Sequence, residues 1–265
     1  MTYSAENVFK PGNNGWHKVL NALLPPRCVL CGLPSGSICI CGPCKNDLPW
    51  AGPQCRQCGL PLPAAQNQTC GKCLQNPPPF NRTVSPLQYC FPADRLVRAL
   101  KFHRQLAEGR VLSHLMCEYI TVEDFTLPDV LIPVPLHRVR MIKRGFNQAC
   151  ELAGYASRIL GIPQLTTGLR RKRNTKAQSG LNRKQRRRNV RGAFYWHGRN
   201  RPGRHVALVD DVMTTGTTVS ECARVLKKAG AQRVDVWVPT RAVPGHDSDH
   251  NRQARPSAHG HTTHY

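Results

Sequence analysis

Acidic residues are scarce in this chain: 15 Asp and Glu stand against 38 Lys and Arg among 265 residues, a formal charge of +23 at pH 7. Such an excess points to a polyanionic partner, whether nucleic acid, a phosphorylated metabolite or an acidic membrane face. Long hydrophobic runs are missing too. With no stretch of eighteen apolar residues, a membrane span is not expected. The first 27 residues lack the basic, apolar and small-residue succession of an export leader, so a soluble, cytoplasmic protein is expected. No GxxxxGK[ST] stretch is present, which removes the phosphate loop of nucleotide hydrolases, and no GxGxxG, which removes the dinucleotide fingerprint. With 40% hydrophobic residues there is enough apolar content for a core.

Cysteine, by contrast, is plentiful, and nine of the thirteen lie between Cys28 and Cys73. Eight form the CxxC pairs Cys28/Cys31, Cys41/Cys44, Cys55/Cys58 and Cys70/Cys73; Cys39 is the ninth. In a reducing compartment clustered thiols do not persist as disulfides, whereas a two-residue gap lets one knuckle present both sulfurs to a single Zn²⁺. Four knuckles make two four-thiolate sites, with sequential, interleaved and nested pairings all open. Gly, Pro and short polar segments fill the gaps, so this region is expected to have little apolar core and to need metal to fold. Cys41-Gly42-Pro43-Cys44 also reads as a dithiol redox centre. That motif belongs after a strand in a βαβ unit, and three further CxxC pairs crowd it here. Cys90, Cys117, Cys150 and Cys222 are expected to pack in apolar surroundings.

Pro77-Pro78-Pro79 closes the cysteine region, and beyond it apolar runs alternate with helical patterns, as in a parallel α/β domain. The expected organisation is a segment 1–27, a metal-binding region 28–76, an α/β domain 77–241 and a disordered tail 242–265. An extended strand is expected over 83–91. Leu96, Val97, Leu100 and Phe102, then Leu106, Val111, Leu112, Leu115 and Met116, predict two amphipathic helices. Val130-Leu131-Ile132 reads as a buried strand. Phe146 to Leu160 repeat at helical spacing, with Gly161 and Pro163 as the stop. His205–Val209 and Arg233–Val238 are strand candidates flanking a helix from about Thr218 to Ala229.

The segment Val206 to Thr218 carries the most chemistry. A buried strand ends in Asp210 and Asp211, and then a Thr- and Gly-rich turn opens a helix, so backbone N–H groups, hydroxyls and the positive helix end converge. That is a cradle for phosphate. Two adjacent carboxylates accept hydrogen bonds from the vicinal hydroxyls of a sugar or hold Mg²⁺ through water. A phosphorylated sugar satisfies both halves. The plain alternative is a strand-to-helix turn whose Asp and Thr residues only cap the helix.

Val209 to Thr218 resembles the phosphoribosyl-pyrophosphate (PRPP) loop of type I phosphoribosyltransferases. Pro133-Val134-Pro135-Leu136-His137, Arg144-Gly145-Phe146-Asn147-Gln148 and the CxxC-rich start resemble, more narrowly, the ComF family with its GntX-like members linked to DNA uptake and utilisation. The resemblance implies a type I phosphoribosyltransferase-like parallel sheet flanked by helices, with a small N-terminal double zinc ribbon. By the same resemblance, Asp210 and Asp211 hold the ribose hydroxyls and Met213, Thr214, Thr215, Gly216, Thr217 and Thr218 the 5′-phosphate. Pro135, Leu136, His137 and Arg138 lie at the pyrophosphate loop with Arg144, and Mg²⁺ accompanies the pyrophosphate. Two structural zincs occupy the eight paired cysteines. The implied activity is displacement of pyrophosphate from the anomeric carbon by a nucleophile. Positioning and charge neutralisation do most of that work, so no nucleophilic side chain is required and none is assigned. No sequence element names the acceptor.

Between Leu152 and Val209 there is no Asp or Glu, against fifteen Lys and Arg. A solvated charged face accounts for such a run. Two functional readings compete with it. Around Asn174 to Gly180 the chain suits a mobile hood over the diphosphate, carrying Arg173, Lys176 and Gln178. Arg183, Lys184, Arg186, Arg187 and Arg188 suit contacts to a nucleic-acid backbone. The leading reading is thus PRPP binding with phosphoribosyl transfer, used in DNA uptake or utilisation alongside single-stranded DNA and DNA-uptake or recombination proteins. The alternative is a non-catalytic single-stranded-DNA-binding module whose PRPP pocket is regulatory or vestigial. Five of eleven histidines fall in the tail (His246, His250, His259, His261, His264) without the fixed spacing of a metal site. His103 and His137 are the histidines placed near the chemistry.

Overall fold

The computed structural model describes residues 25–63, 68–123, 125–173 and 183–244. The N-terminal segment to residue 24, Lys176, Gln178 and most of the expected tail lie outside the described residues.

Two five-residue helices, α1 (Gly42–Asn46) and α2 (Gly71–Gln75), belong to the cysteine region. The elements that follow are β1 (Arg82–Val84), β2 (Leu87–Gln88), α3 (Ala93–His103), α4 (Leu106–Val122), β3 (Val130–Pro133), α5 (Arg138–Arg144), α6 (Gln148–Leu160) and β4 (Leu169–Arg171). The chain continues through α7 (Arg183–Val190), β5 (Phe194–Trp196), β6 (His205–Val209), β7 (Val212–Met213), α8 (Thr217–Lys228), β8 (Arg233–Trp237) and β9 (Thr240–Arg241).

Strands β1, β8, β6 and β3 form, in that order, a parallel sheet. Strands β3 and β6 are apolar apart from His205, as burial on both faces demands, while β1 and β8 also carry Arg82, Thr83, Arg233 and Asp235. The two faces divide the side chains by the period of the pleat: Ala207 and Val209 of β6 join one core cluster, Val206 and Leu208 the other. The first cluster takes in α3, α4 and α6 through Leu96, Leu100, Leu112, Leu115 and Leu152; the second takes in α8 through Val219, Cys222, Ala223 and Leu226. The unit β6–α8–β8 is a crossover joining neighbouring parallel strands, with His205 opposite Arg233. A second, three-stranded parallel sheet, β2–β9–β7, sits where these strands end, and β4 pairs with β5 as an antiparallel hairpin.

Several expectations need correction. The strand expected over 83–91 is two short strands in different sheets, because Pro86 has no N–H for a ladder and breaks the run. Phe102 and Leu106, assigned to apolar helix faces, are 64% and 41% exposed at the joint between α3 and α4, where Arg104 turns the chain in the left-handed region. The little sheet, the β4–β5 hairpin and α5 were not expected. Cys117 and Cys222 are buried as anticipated, while Cys90 and Cys150 are only partly so. The cysteine region is also better supported than expected on one side. Cys28, Ile40 and Leu48 belong to the same core cluster as α3, α4 and α6. Cys55, Cys58 and Cys73 instead form a small cluster of their own with Leu60 and Leu62.

Candidate functional site

The eight paired cysteines converge in two groups, Cys28, Cys31, Cys41 and Cys44, and Cys55, Cys58, Cys70 and Cys73, with all four sulfurs of each group within 4.8 Å of one another. The pairing is therefore sequential, and Cys39, with φ at 60°, stays outside it. Sulfurs of a tetrahedral ion at ordinary Zn–S distance lie about 3.8 Å apart. Cys31 to Cys41 and Cys58 to Cys70 are each 3.7 Å. The arrangement fits zinc in its charges as well. Burial works against ionisation of Cys28 and Cys55, yet backbone N–H donors outweigh it and bring these thiols down to about 6 and about 7. Burial and the charge of Cys55 push Cys58 up to about 11, and Cys41 and Cys31 hold Cys44 well above an ordinary thiol. Four sulfurs so close cannot all ionise unless a cation is shared among them. Both tetrads are built as structural zinc sites, closed by four protein ligands, which leaves no pair for a separate redox role.

At the end of β6 the ladder continues one step, Asp210 N–H donating to Trp237 O at 3.1 Å, before the chain turns. Asp211 N–H then donates to Asp210 Oδ1 at 2.9 Å. Asp211 is buried and its Oδ2 lies 3.0 Å from Lys101 Nζ. Burial, and after it the charge of Asp211, push the Asp210 carboxyl up to about 7. Lys101 keeps its proton firmly: burial opposes the charge, but the attraction and hydrogen bond of Asp211 overcome it. Past β7 the hydroxyls of Thr215 and Thr217 meet at 2.6 Å, and Gly216 (φ 72°) starts α8 in the left-handed region. A Cβ at Gly216 would stand 2.7 Å from Met213 Cε. The first turn of this twelve-residue helix has neither a capping side chain nor an acidic residue. Its positive end is thus left for an anion.

Beside this turn stands the loop after β3, because Pro133 pairs with Val209 and Val134 N–H donates to Val209 O at 2.9 Å. His137 serves as the N-cap of α5, its Nδ1 accepting from Val139 N–H at 3.3 Å. Gly145 (φ 76°) ends α5. Asn147 caps α6 through Oδ1 and donates to Val134 O at 3.1 Å through Nδ2, so the Arg144–Gln148 motif fixes the loop's outer end. Arg144 rests over the Phe102 ring. A pocket of about 420 Å³ opens beside β3. Pro135, Leu136, Arg138, Arg170, Arg171 and His197 line it among others, with no carboxylate in the wall among the described residues.

The sequence-derived residues thus fall in three places. Asp210 to Thr218 form the turn, Pro135 to Arg138 follow the neighbouring strand β3 with Arg144 at the end of α5, and the remaining basic residues follow β4. Arg173 donates to Arg191 O at 3.0 Å, bracing the base of the hairpin. Arg183, Lys184, Arg186, Arg187 and Arg188 lie on α7, and Arg188 is exposed. His103 is exposed and does not join the Asp pair; Lys101, two residues earlier on α3, does. Two participants were missed. Lys101 is one, and its place beside the apolar stripe of α3 gave no signal. Arg241 is the other: buried, it donates to Cys58 O and Met213 O at 2.8 Å and to Thr214 O, joining the second tetrad to the turn.

Two family models match the chain. The double zinc ribbon domain matches residues 19–74 and the phosphoribosyl transferase domain residues 147–257. Competence protein F of Haemophilus influenzae is 37% identical over 226 residues, covering 82% of this chain and 97% of that protein. DNA utilization protein YhgH of Escherichia coli (strain K12) is likewise 37% identical over 226 residues, covering 83% and 99%. A purine phosphoribosyltransferase from Pyrococcus horikoshii aligns at a TM-score of 0.27 and 21% identity, over 61% of this chain and 86% of its own. The class is a double zinc ribbon joined to a phosphoribosyltransferase domain. Within that class the chain belongs to the ComF family, that of competence protein F and YhgH.

Proposed function

We propose that this protein binds PRPP with Mg²⁺ at the turn 210–218 and uses it in DNA utilisation, the role named for its relative YhgH. The observation that carries the reading is the meeting of Asp210 and Asp211 with the uncapped start of α8. The amides and hydroxyls of Thr214 to Thr218 take the 5′-phosphate, and the carboxylates take the ribose hydroxyls. Met213 supports the turn under Gly216. Pro135, Leu136, His137 and Arg138, with Arg144 behind them, face the pyrophosphate, whose charge Mg²⁺ neutralises when bound. Arg173, Lys176 and Gln178 belong to the hood that excludes water. Phosphoribosyl transfer then breaks the bond from the anomeric carbon to pyrophosphate and forms one to the acceptor nucleophile; Asp210 and Asp211 hold the ribose while positive charge develops at that carbon.

Calorimetry with PRPP and Mg²⁺ tests the reading. Wild-type protein should bind, and Asp210→Asn with Asp211→Asn should abolish binding without unfolding the domain; wild-type protein indifferent to millimolar-range PRPP would overturn it. A second reading, a single-stranded-DNA-binding module, draws support from α7, where five of eight residues are Lys or Arg and none is acidic. Both readings hold together if the two ligands use separate surfaces.

A further inference from the structure

We propose that Arg241 is a positioning residue which ties the second cysteine tetrad to the phosphate-binding turn, so that metal loading of this tetrad sets the turn's affinity for a phosphorylated ligand. This deepens the PRPP reading and rests on it for the identity of the ligand.

Arg241 is 4% exposed and ends β9, opposite Met213 of β7. Its guanidinium spans three pieces of chain. Nε donates to Cys58 O at 2.8 Å; Nη1 donates to Met213 O at 2.8 Å, to Thr214 O and to Ala242 O at 2.6 Å. In a trans peptide the carbonyl and the next N–H point in opposite directions. Fixing the carbonyls of Met213 and Thr214 on Arg241 therefore turns the N–H groups of Thr214 and Thr215 to the opposite side. Those are amides of the cradle itself. Arg241 does for the turn what a ligand to its back face would do.

The other end of the link is equally fixed. Gly59, directly after Cys58, has φ at 66°, and a Cβ there would meet Thr83 Cγ2 at 3.0 Å and Arg241 Cδ at 3.5 Å, so the knuckle packs closely on the arginine. Thr83 clamps the same knuckle, its N–H donating to Arg56 O at 2.8 Å and its hydroxyl to Gln57 O at 2.5 Å. Among the described residues no carboxylate forms an ion pair with Arg241; the groups facing it that become anionic when a metal is held are the sulfurs of Cys58, Cys55 and Cys73. Four thiolates around a divalent ion keep a net charge of about −2, a counter-charge that no carboxylate among the described residues supplies to the arginine. An emptied tetrad loses both the shape of the knuckle and that charge. Among the described residues the first tetrad has no such link; Cys28 belongs to the core cluster of α3 and α4.

The test compares Cys70→Ser with Cys73→Ser, Arg241→Lys and wild type in the full chain. The readouts are zinc content, calorimetry with PRPP and Mg²⁺, and amide hydrogen exchange over 212–218 without ligand. The double serine variant should hold about one zinc. Its PRPP affinity should fall roughly tenfold or more, and exchange over 212–218 should quicken while α3 and α4 stay protected. Arg241→Lys should keep both zincs and still lose affinity several-fold, because an ammonium cannot span the three pieces of chain. Wild-type affinity in a one-zinc variant, or unaltered exchange over 212–218 in Arg241→Lys, would overturn the proposal. If the serine variant does not fold, the lysine variant decides. If wild type ignores PRPP, the PRPP reading fails, and ligand-free exchange still decides the coupling.

Discussion

Asp210 is the residue at which stability and binding pull in opposite directions. Its carboxyl stands at about 7 in the folded protein, against about 3.9 for an unfolded Asp. The folded state thus holds this proton more tightly than the unfolded chain does, and the contribution of Asp210 to stability falls as pH rises from about 4 to about 7. Asp211, Lys101 and Arg171 all act on the group, the first raising it and the cations opposing. Asp210→Asn should therefore raise the melting temperature at pH 8 more than at pH 5. Over the same range PRPP affinity of the wild type should climb as the carboxylate forms, and the Asn variant should lose that part of the climb; calorimetry at both pH values reads the difference. Gly216→Val presents the other residue-scale demand. A β-branched side chain in the left-handed region costs about 1 to 3 kcal/mol, and here it also meets Met213. Weaker PRPP binding with a lower melting temperature is expected.

At the scale of elements, what could be read from the sequence was whatever repeats. The apolar stripes of α4 and α6, the buried runs of β3, β6 and β8 and the CxxC spacing all carry a period, and each lies where it was expected. The Asp–Asp–Thr-rich turn was legible because strand, carboxylates and helix start are contiguous. Lys101 and Arg241 were not, because each reaches its partner across the fold: Lys101 from α3 to Asp211, Arg241 back to Cys58. The two-residue strands β2, β7 and β9 are too short to show alternation. Helix α7 allows a further prediction. If it grips single-stranded DNA, replacing Arg186, Arg187 and Arg188 with Gln should reduce the steepness of the salt dependence by about 0.7 for each phosphate no longer neutralised, with PRPP affinity unchanged. Changes at Arg173, Lys176 and Gln178 should do the reverse. A salt series and calorimetry on both sets separate hood from tether, and no change in either leaves a solvated surface.

For the whole molecule, the two tetrads differ in what depends on them. Since Cys28, Ile40 and Leu48 lie in the core that α3, α4 and α6 share, stripping metal from the first tetrad should lower the main melting transition instead of producing a separate early one. Ile40→Ala should cost about 2 to 4 kcal/mol in the same transition, as a core truncation does. Differential scanning calorimetry of holo and chelated protein checks both. Loss of the second tetrad, whose own cluster is small, should loosen that cluster and, through Arg241, the turn 212–218, while α3 and α4 keep their fold.

The order of strands also governs when the protein can come together. Among the described strands β1, the first of the main sheet, pairs with β8, about 150 residues later, and β2, bridged on its other side by Trp50, takes β9 as its strand partner at a similar distance. During synthesis at about 5 to 20 residues per second, the edge of β1 that takes β8 stays open until residues 233–241 have left the ribosome, although α3 and α4 can by then pack on α6 through Leu152, lacking only Trp237 from their shared core. Folding dominated by such distant pairs is slow, and nascent chains halted before residue 233 should be protease-sensitive and chaperone-bound through the very segments that form the finished core.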